Sequence, residues 1–288
     1  MNLAHTNATT GRARPHLLVR VAVVMAATLL VWQVMGWISD RLPEGPQAGL
    51  RHWVNALTVF VLAVPVVWLA RRYLDRRPWS GLLLAGRGWA PPFLVGAASW
   101  LVPGLLGLTA VLLSGAVEAV PNRPAAEAAA VVAALVVLVL LFEAVPEELI
   151  FRGYLFRNLN TALPGWLTVL AQAALFTLFG LALWIPSAGW GVLPERLPLF
   201  FGMGVVLGCL RLVTGNVWAC VGFHVAFQTV AQALLTGYLF TIGGEEGLMM
   251  LAVFASPFVF AVPVAMLLTR DTGTGRWSGR VPDPARTS

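Results

Sequence analysis

Eight apolar stretches, each close to the length of a bilayer-spanning helix, divide this chain: 17–38, 53–70, 91–115, 125–145, 165–185, 197–214, 216–238 and 248–269. A helix needs about 20 apolar residues to cross a hydrocarbon core. Inside lipid each span must satisfy its own backbone hydrogen bonds, which a helix does. The expected fold is therefore all-α, a polytopic membrane helix bundle of about eight transmembrane helices. Composition agrees: 58% of the residues are hydrophobic and 11% charged, against roughly 25% charged in a soluble domain. The first stretch is too long for a signal-peptide core and lacks a small-residue cleavage site, so it reads as a retained span. Breaks between spans carry helix-stopping chemistry, such as Pro43-Glu44-Gly45-Pro46, Pro121-Asn122-Arg123-Pro124 and Gly243-Gly244-Glu245-Glu246. The polar ends, 1–16 and 271–288, are expected to be disordered tails around a bundle spanning 17–270.

All nineteen basic residues are arginine. With the N-terminus in the cytoplasm, fifteen fall in inside segments and four (Arg41, Arg51, Arg123 and Arg196) in outside segments. Inside loops collect positive charge. The bias predicts an integral protein of a bacterial plasma membrane with both termini cytoplasmic. A pI near 10.6 invites a nucleic-acid reading. The arginines lie between apolar spans, and no basic helix is interleaved with stacking aromatics, so no nucleic-acid partner is expected. Membrane lipid and a peptide or membrane-protein substrate are the expected partners. Cys209 and Cys220 sit in apolar stretches at no metal or disulfide spacing, as small buried hydrophobes.

The fourth apolar stretch runs into Phe142-Glu143-Ala144-Val145-Pro146-Glu147-Glu148-Leu149-Ile150-Phe151-Arg152. Charge within a span is costly and usually functional. Spacing sorts the cluster. Glu148 and Arg152 are four apart, acid first, the better order for a helical ion pair. Glu147 is then left free to work, and Glu143 reads as an interface residue. Glu147 lies roughly 28 Å along its helix from Ala128, near the cytoplasmic edge. Pro146 weakens the local hydrogen-bond ladder. Of four histidines only His224 lies inside a span, with Gln228 one turn on. If that span starts inside, His224 is about 12 Å from Asn216, in the same leaflet as Glu147.

Glu147-Glu148-x-x-x-Arg152, extended by Phe151-Arg152-Gly153, resembles the E-E-x-x-x-R signature of the CAAX-protease and bacteriocin-processing intramembrane endopeptidases. His224 is similar to the first residue of that family's later H-x-x-x-N motif, with Gln228 in place of asparagine. The resemblance covers roughly residues 90–240. It implies a helical bundle of about eight spans in which Glu147 activates water for peptide hydrolysis near the cytoplasmic face. His224 and Gln228 would polarise the scissile carbonyl, and Glu148 with Arg152 would hold the helix and tune the base. The family is sometimes described as metal-dependent, but a glutamate-activated water without metal also fits it, and no cofactor is expected here. A conventional zinc site needs three protein ligands, which a single buried histidine does not readily assemble.

The chain departs from the family pattern at the middle F-x-x-x-H motif. In the register Phe179 to Leu183 a leucine stands where the family has histidine; in the register Phe176 to Gly180 it is a glycine. A leucine neither accepts nor relays a proton. With the fifth span beginning at 165, Leu183 lies about 27 Å along it, towards the outer leaflet. Two functions follow: an intramembrane endopeptidase, or a catalytically impaired homologue serving as a membrane scaffold or regulator. A transporter is disfavoured, because no inverted repeat or paired broken helices appear.

Overall fold

The computed structural model of the protein describes residues 14–42, 48–82 and 88–283. Eight helices long and apolar enough to cross a membrane follow one another: α1 Leu17–Ser39, α2 Gly49–Asp75, α3 Ala90–Leu113, α4 Ala125–Asn160, α5 Gly165–Ala188, α6 Trp190–Thr214, α7 Val217–Leu235 and α8 Glu246–Thr269. The all-α polytopic bundle expected from hydropathy is what the chain forms. The spans differ from the sequence reading mainly at their polar ends. α2 continues through Arg71 to Asp75, and α4 is 36 residues long where a span of 125–145 was expected. In both cases the added turns carry buried polar side chains, Arg71 and Asp75 in α2 and Glu148, Arg152 and Asn158 in α4.

Two short strands, β1 Val117–Pro121 and β2 Phe240–Gly244, pair antiparallel with Val117 opposite Gly244 and Pro121 opposite Phe240. They join the α3–α4 and α7–α8 connections, so both lie at one end of the bundle. The ends of α2 and α4 meet the two chain ends at the opposite end.

α3 and α7 cross in direct backbone contact. A Cβ added at Gly96 would lie 1.8 Å from the Ala219 carbonyl oxygen, and one at Gly222 would lie 2.0 Å from that of Phe93. The two backbones touch at these reciprocal glycines. In lipid, where apolar surface gains little from leaving its solvent, such close van der Waals packing drives helix association. Trp100 of α3 fills the neighbouring space against Phe227 and Phe254.

The expected C-terminal tail, 271–288, is not a free segment over its described part. Residues 271–283 lie on the bundle, while 284–288 and 1–13 fall outside the described residues. Gly165 and Trp166, whose N–H groups have no partner within α5, donate to Gly279 and Trp277 carbonyls at 3.1 and 2.9 Å. Asp283 is the anchor. Its carboxylate accepts from both terminal nitrogens of Arg71 at 2.8 and 3.1 Å and from Arg157 Nε at 3.4 Å. Arg14, next to α1, reaches it at 3.3 Å. Beside this group Asp75 accepts from Arg71, Tyr154 and Asn158 at 3.0, 2.9 and 3.0 Å, and Arg20 bonds Asn158. Arg71 and Asp75 are one helical turn apart on α2, whereas Asp283 comes from the far end of the chain.

Burial opposes ionisation of Asp283, but the hydrogen bond and charge of Arg71, with Arg157 and Arg14, outweigh it and hold the carboxyl below the usual carboxylate range. A lowered folded value means the stabilisation is complete above the unfolded carboxyl's range and is lost as pH falls through the lower folded value. Asp283→Asn is expected to destabilise the protein by about 3 kcal/mol, the scale of breaking a buried pair. It should also open 271–283 to limited proteolysis near neutral pH. The wild-type tail should become cleavable only in acid.

Candidate active site

α4 is not a uniform α-helix. Its hydrogen-bond ladder widens to π-helical turns at Leu140–Ala144 and Leu149–Leu155, on either side of Pro146. Proline supplies no N–H and crowds the preceding turn, which explains a disturbed ladder at that point. Such turns are frequent at functional sites. Between and within them lie Glu143, Glu147, Glu148 and Arg152.

Glu148 is fully buried, and a single oxygen, Oε1, serves two partners. Arg152 Nη1 donates to it at 3.0 Å, and His224 Nδ1 of α7 lies 3.0 Å away. Arg152 is also fully buried; it stacks over Phe176 at 4.6 Å and reaches the Met203 carbonyl at 3.4 Å. Arg211 Nε donates to the Arg152 carbonyl at 3.1 Å, fixing the wide turn from α6. The Glu148–Arg152 pair is the one helical spacing foretold. His224, read from the sequence as lying in the same leaflet as Glu147, lines the same cavity, and its hydrogen bond goes to Glu148.

The other face of the imidazole looks into the bundle. His224 Nε2 lies 3.9 Å from Glu143 Oε2, and the Gln228 side chain reaches the Glu143 carboxyl. Glu143, read from sequence as an interface residue, therefore faces the interior. The wide turn beginning at Leu140 and the position of α7 put it there, and four-residue spacing alone did not reveal it.

Glu143, Glu147, His224 and Gln228 line one cavity of about 980 Å³. Its other walls are mostly aromatic and aliphatic, from Trp32, Phe176, Phe179, Phe227 and Phe258 among others. Glu148 and Arg152 stand behind it. Leu183 also lines the cavity, so the expected remoteness of that position is not found; the cavity is long enough to run along α5. Phe176, not Phe179, is the aromatic that stacks on Arg152. At Gly180, four residues later, a Cβ would lie 2.7 Å from two ring atoms of Phe200, so that ring occupies the space a side chain would need. A second cavity of about 720 Å³ opens from the β1–β2 side and shares Phe142 and Glu143 with the first; its walls are mostly aliphatic, with His52, Asn55, Gln232 and Thr236 among them. Among the described residues no three His, Cys, Asp or Glu side chains are grouped to hold a metal.

Fold and site together define a polytopic helical membrane protein with a carboxylate and histidine centre in its interior. Residues 129–230, which contain every site residue named from the motifs, match the family model described as type II CAAX prenyl endopeptidase Rce1-like. The match bears out the resemblance to that family read from Glu147, Glu148 and Arg152. No curated protein and no solved structure matches it.

Proposed function

We infer that the protein is an intramembrane endopeptidase in which Glu147 activates a water that hydrolyses a peptide bond. The observation that carries this reading is the single cavity into which Glu147, His224 and Gln228 open together. Glu148 orients the imidazole through Nδ1, leaving Nε2 on the cavity side. A His224 protonated on both nitrogens donates from Nδ1 to Glu148 and from Nε2 to the oxyanion of the attacked carbonyl. Gln228 supplies a further amide donor. The proposed chemistry uses water and side chains alone. The aromatic lining suits an apolar or lipid-anchored stretch of substrate, and the arginine bias supports a site towards the cytoplasmic face of a plasma membrane.

The test is hydrolysis of an internally quenched peptide, with and without a prenylated C-terminal cysteine, by purified protein in proteoliposomes. Cleavage is expected, and Glu147→Gln is expected to slow it by about 10²–10⁴. Equal rates for the wild type and Glu147→Gln would remove Glu147 from the chemistry. Leu183 and the Phe200 ring over Gly180 favour a second reading, a non-catalytic homologue that holds a peptide or partner helix in the cavity. That reading is supported if the wild type is inert and Leu183→His creates cleavage.

A further inference from the structure

We propose that Glu143 is a second catalytic carboxylate, which protonates the leaving amine in place of a histidine that α5 lacks. The inference rests on the endopeptidase reading above and supplies its missing proton carrier.

α5 offers the cavity nothing that gives or takes a proton. Phe176 and Phe179 are apolar, Leu183 is apolar, and Gly180 is covered by Phe200. The Thr177 hydroxyl is turned back to the Ala173 carbonyl at 2.8 Å. Glu143 fills that functional gap from α4. It is one turn before Glu147 and opens into the same cavity. Its Oε2 is buried with no hydrogen-bond partner, 3.9 Å from His224 Nε2. His224 is 1% exposed and pinned from behind by Glu148, so the edge facing Glu143 is fixed. Glu143 also borders the second cavity, whose lining includes His52, Asn55 and Gln232.

The step balances with these groups. Glu147, as carboxylate, takes one proton from water while the oxygen adds to the carbonyl carbon. Glu143, protonated, gives its proton to the amide nitrogen as the C–N bond breaks. The products are a carboxylic acid and an amine. Glu147 then carries the proton and Glu143 is the anion; transfer of that proton from Glu147 to Glu143 restores the starting state. Two carboxylates with opposite protonation are a sufficient acid and base for this reaction class.

The charged and titratable groups around Glu143 are Glu147 on α4 and His224 on α7, with Glu195 and Arg196 on the wall of the larger cavity and His52 of α2 on that of the second; Glu148 and Arg152 lie behind them, next to Glu147. The experiment is a pH–rate profile of quenched-peptide cleavage for the wild type, Glu143→Gln, Glu143→Asp and Glu147→Gln. Glu143→Gln keeps the shape of the side chain and removes its proton. It is expected to lower kcat about 10²–10⁴ with KM little changed and to erase the alkaline limb. Glu143→Asp should restore part of the rate, and Gly180→His with Phe200→Ala should raise the rate in a Glu143→Gln background. If Glu143→Gln keeps wild-type kcat and its alkaline limb while Glu147→Gln is inactive, the inference is overturned and the endopeptidase reading stands. A rise in KM with an unchanged profile overturns it equally, in favour of a structural role. If the wild type cleaves no peptide, both fall.

Discussion

Glu148→Ala is expected to abolish peptide cleavage and to destabilise the protein by about 3–5 kcal/mol, the cost of leaving one partner of a buried pair uncompensated. The size follows from the sharing of one oxygen. Glu148 Oε1 holds both Arg152 and His224 at 3.0 Å, and none of the three side chains is more than 1% exposed. Without the carboxylate the guanidinium keeps only the Phe176 face and a long contact to the Met203 carbonyl. The imidazole loses the bond that sets its orientation. Glu148→Gln separates charge from geometry, since its amide oxygen still accepts from both partners. It should lie between the wild type and Glu148→Ala in unfolding midpoint in detergent. An Ala variant as stable as the wild type would mean that the shared oxygen carries no structural weight.

The second large effect is expected at a position with no chemistry at all. Gly222→Val should destabilise the bundle by at least about 3 kcal/mol, at the upper end of what overpacking a core costs. At most sites an added side chain displaces another side chain. Here a Cβ would meet the Phe93 carbonyl oxygen at 2.0 Å, so the α3 and α7 backbones must separate. His224 is two residues further along α7, and the separation should draw it away from Glu148. Loss of activity should therefore accompany loss of stability. Gly36→Ala in α1, where a Cβ meets nothing within 4 Å, is the control and should be neutral. A Gly222→Val variant with wild-type unfolding and cleavage would show that the helices part without cost.

The spans were legible because lipid selects for length and hydropathy, and both are local properties of sequence. The polar helix ends were not. Asp75 and Asn158 look like loop residues until Tyr154, Arg20 and Arg71 come to meet them from three helices. Within the site, the Glu148–Arg152 pair was legible because it lies within one turn of one helix. The partner of His224 was not, since that contact joins α4 to α7. Glu143 was discounted for the same reason: its neighbours on α4 were visible and its neighbour on α7 was not. On α5 the register from Phe179 to Leu183 is the nearer match by sequence, and the stacking of Phe176 on Arg152 favours the alternative from Phe176 to Gly180.

The two wide turns of α4 bear on how this helix tolerates changes in length. A π turn accommodates one residue more than an α turn does, so a one-residue deletion within Leu140–Ala144 has an α-helical alternative available. Each α-helical residue turns the chain by about 100°. Closing the ladder to α with no residue lost would instead rotate the apolar part of α4 before residue 140 relative to the acidic part after it. The wide turn thus works as a swivel. Upstream of it the helix must match lipid and neighbouring helices in length. Downstream it must aim Glu147 and Glu148 at fixed targets, and the swivel lets the two requirements be met separately.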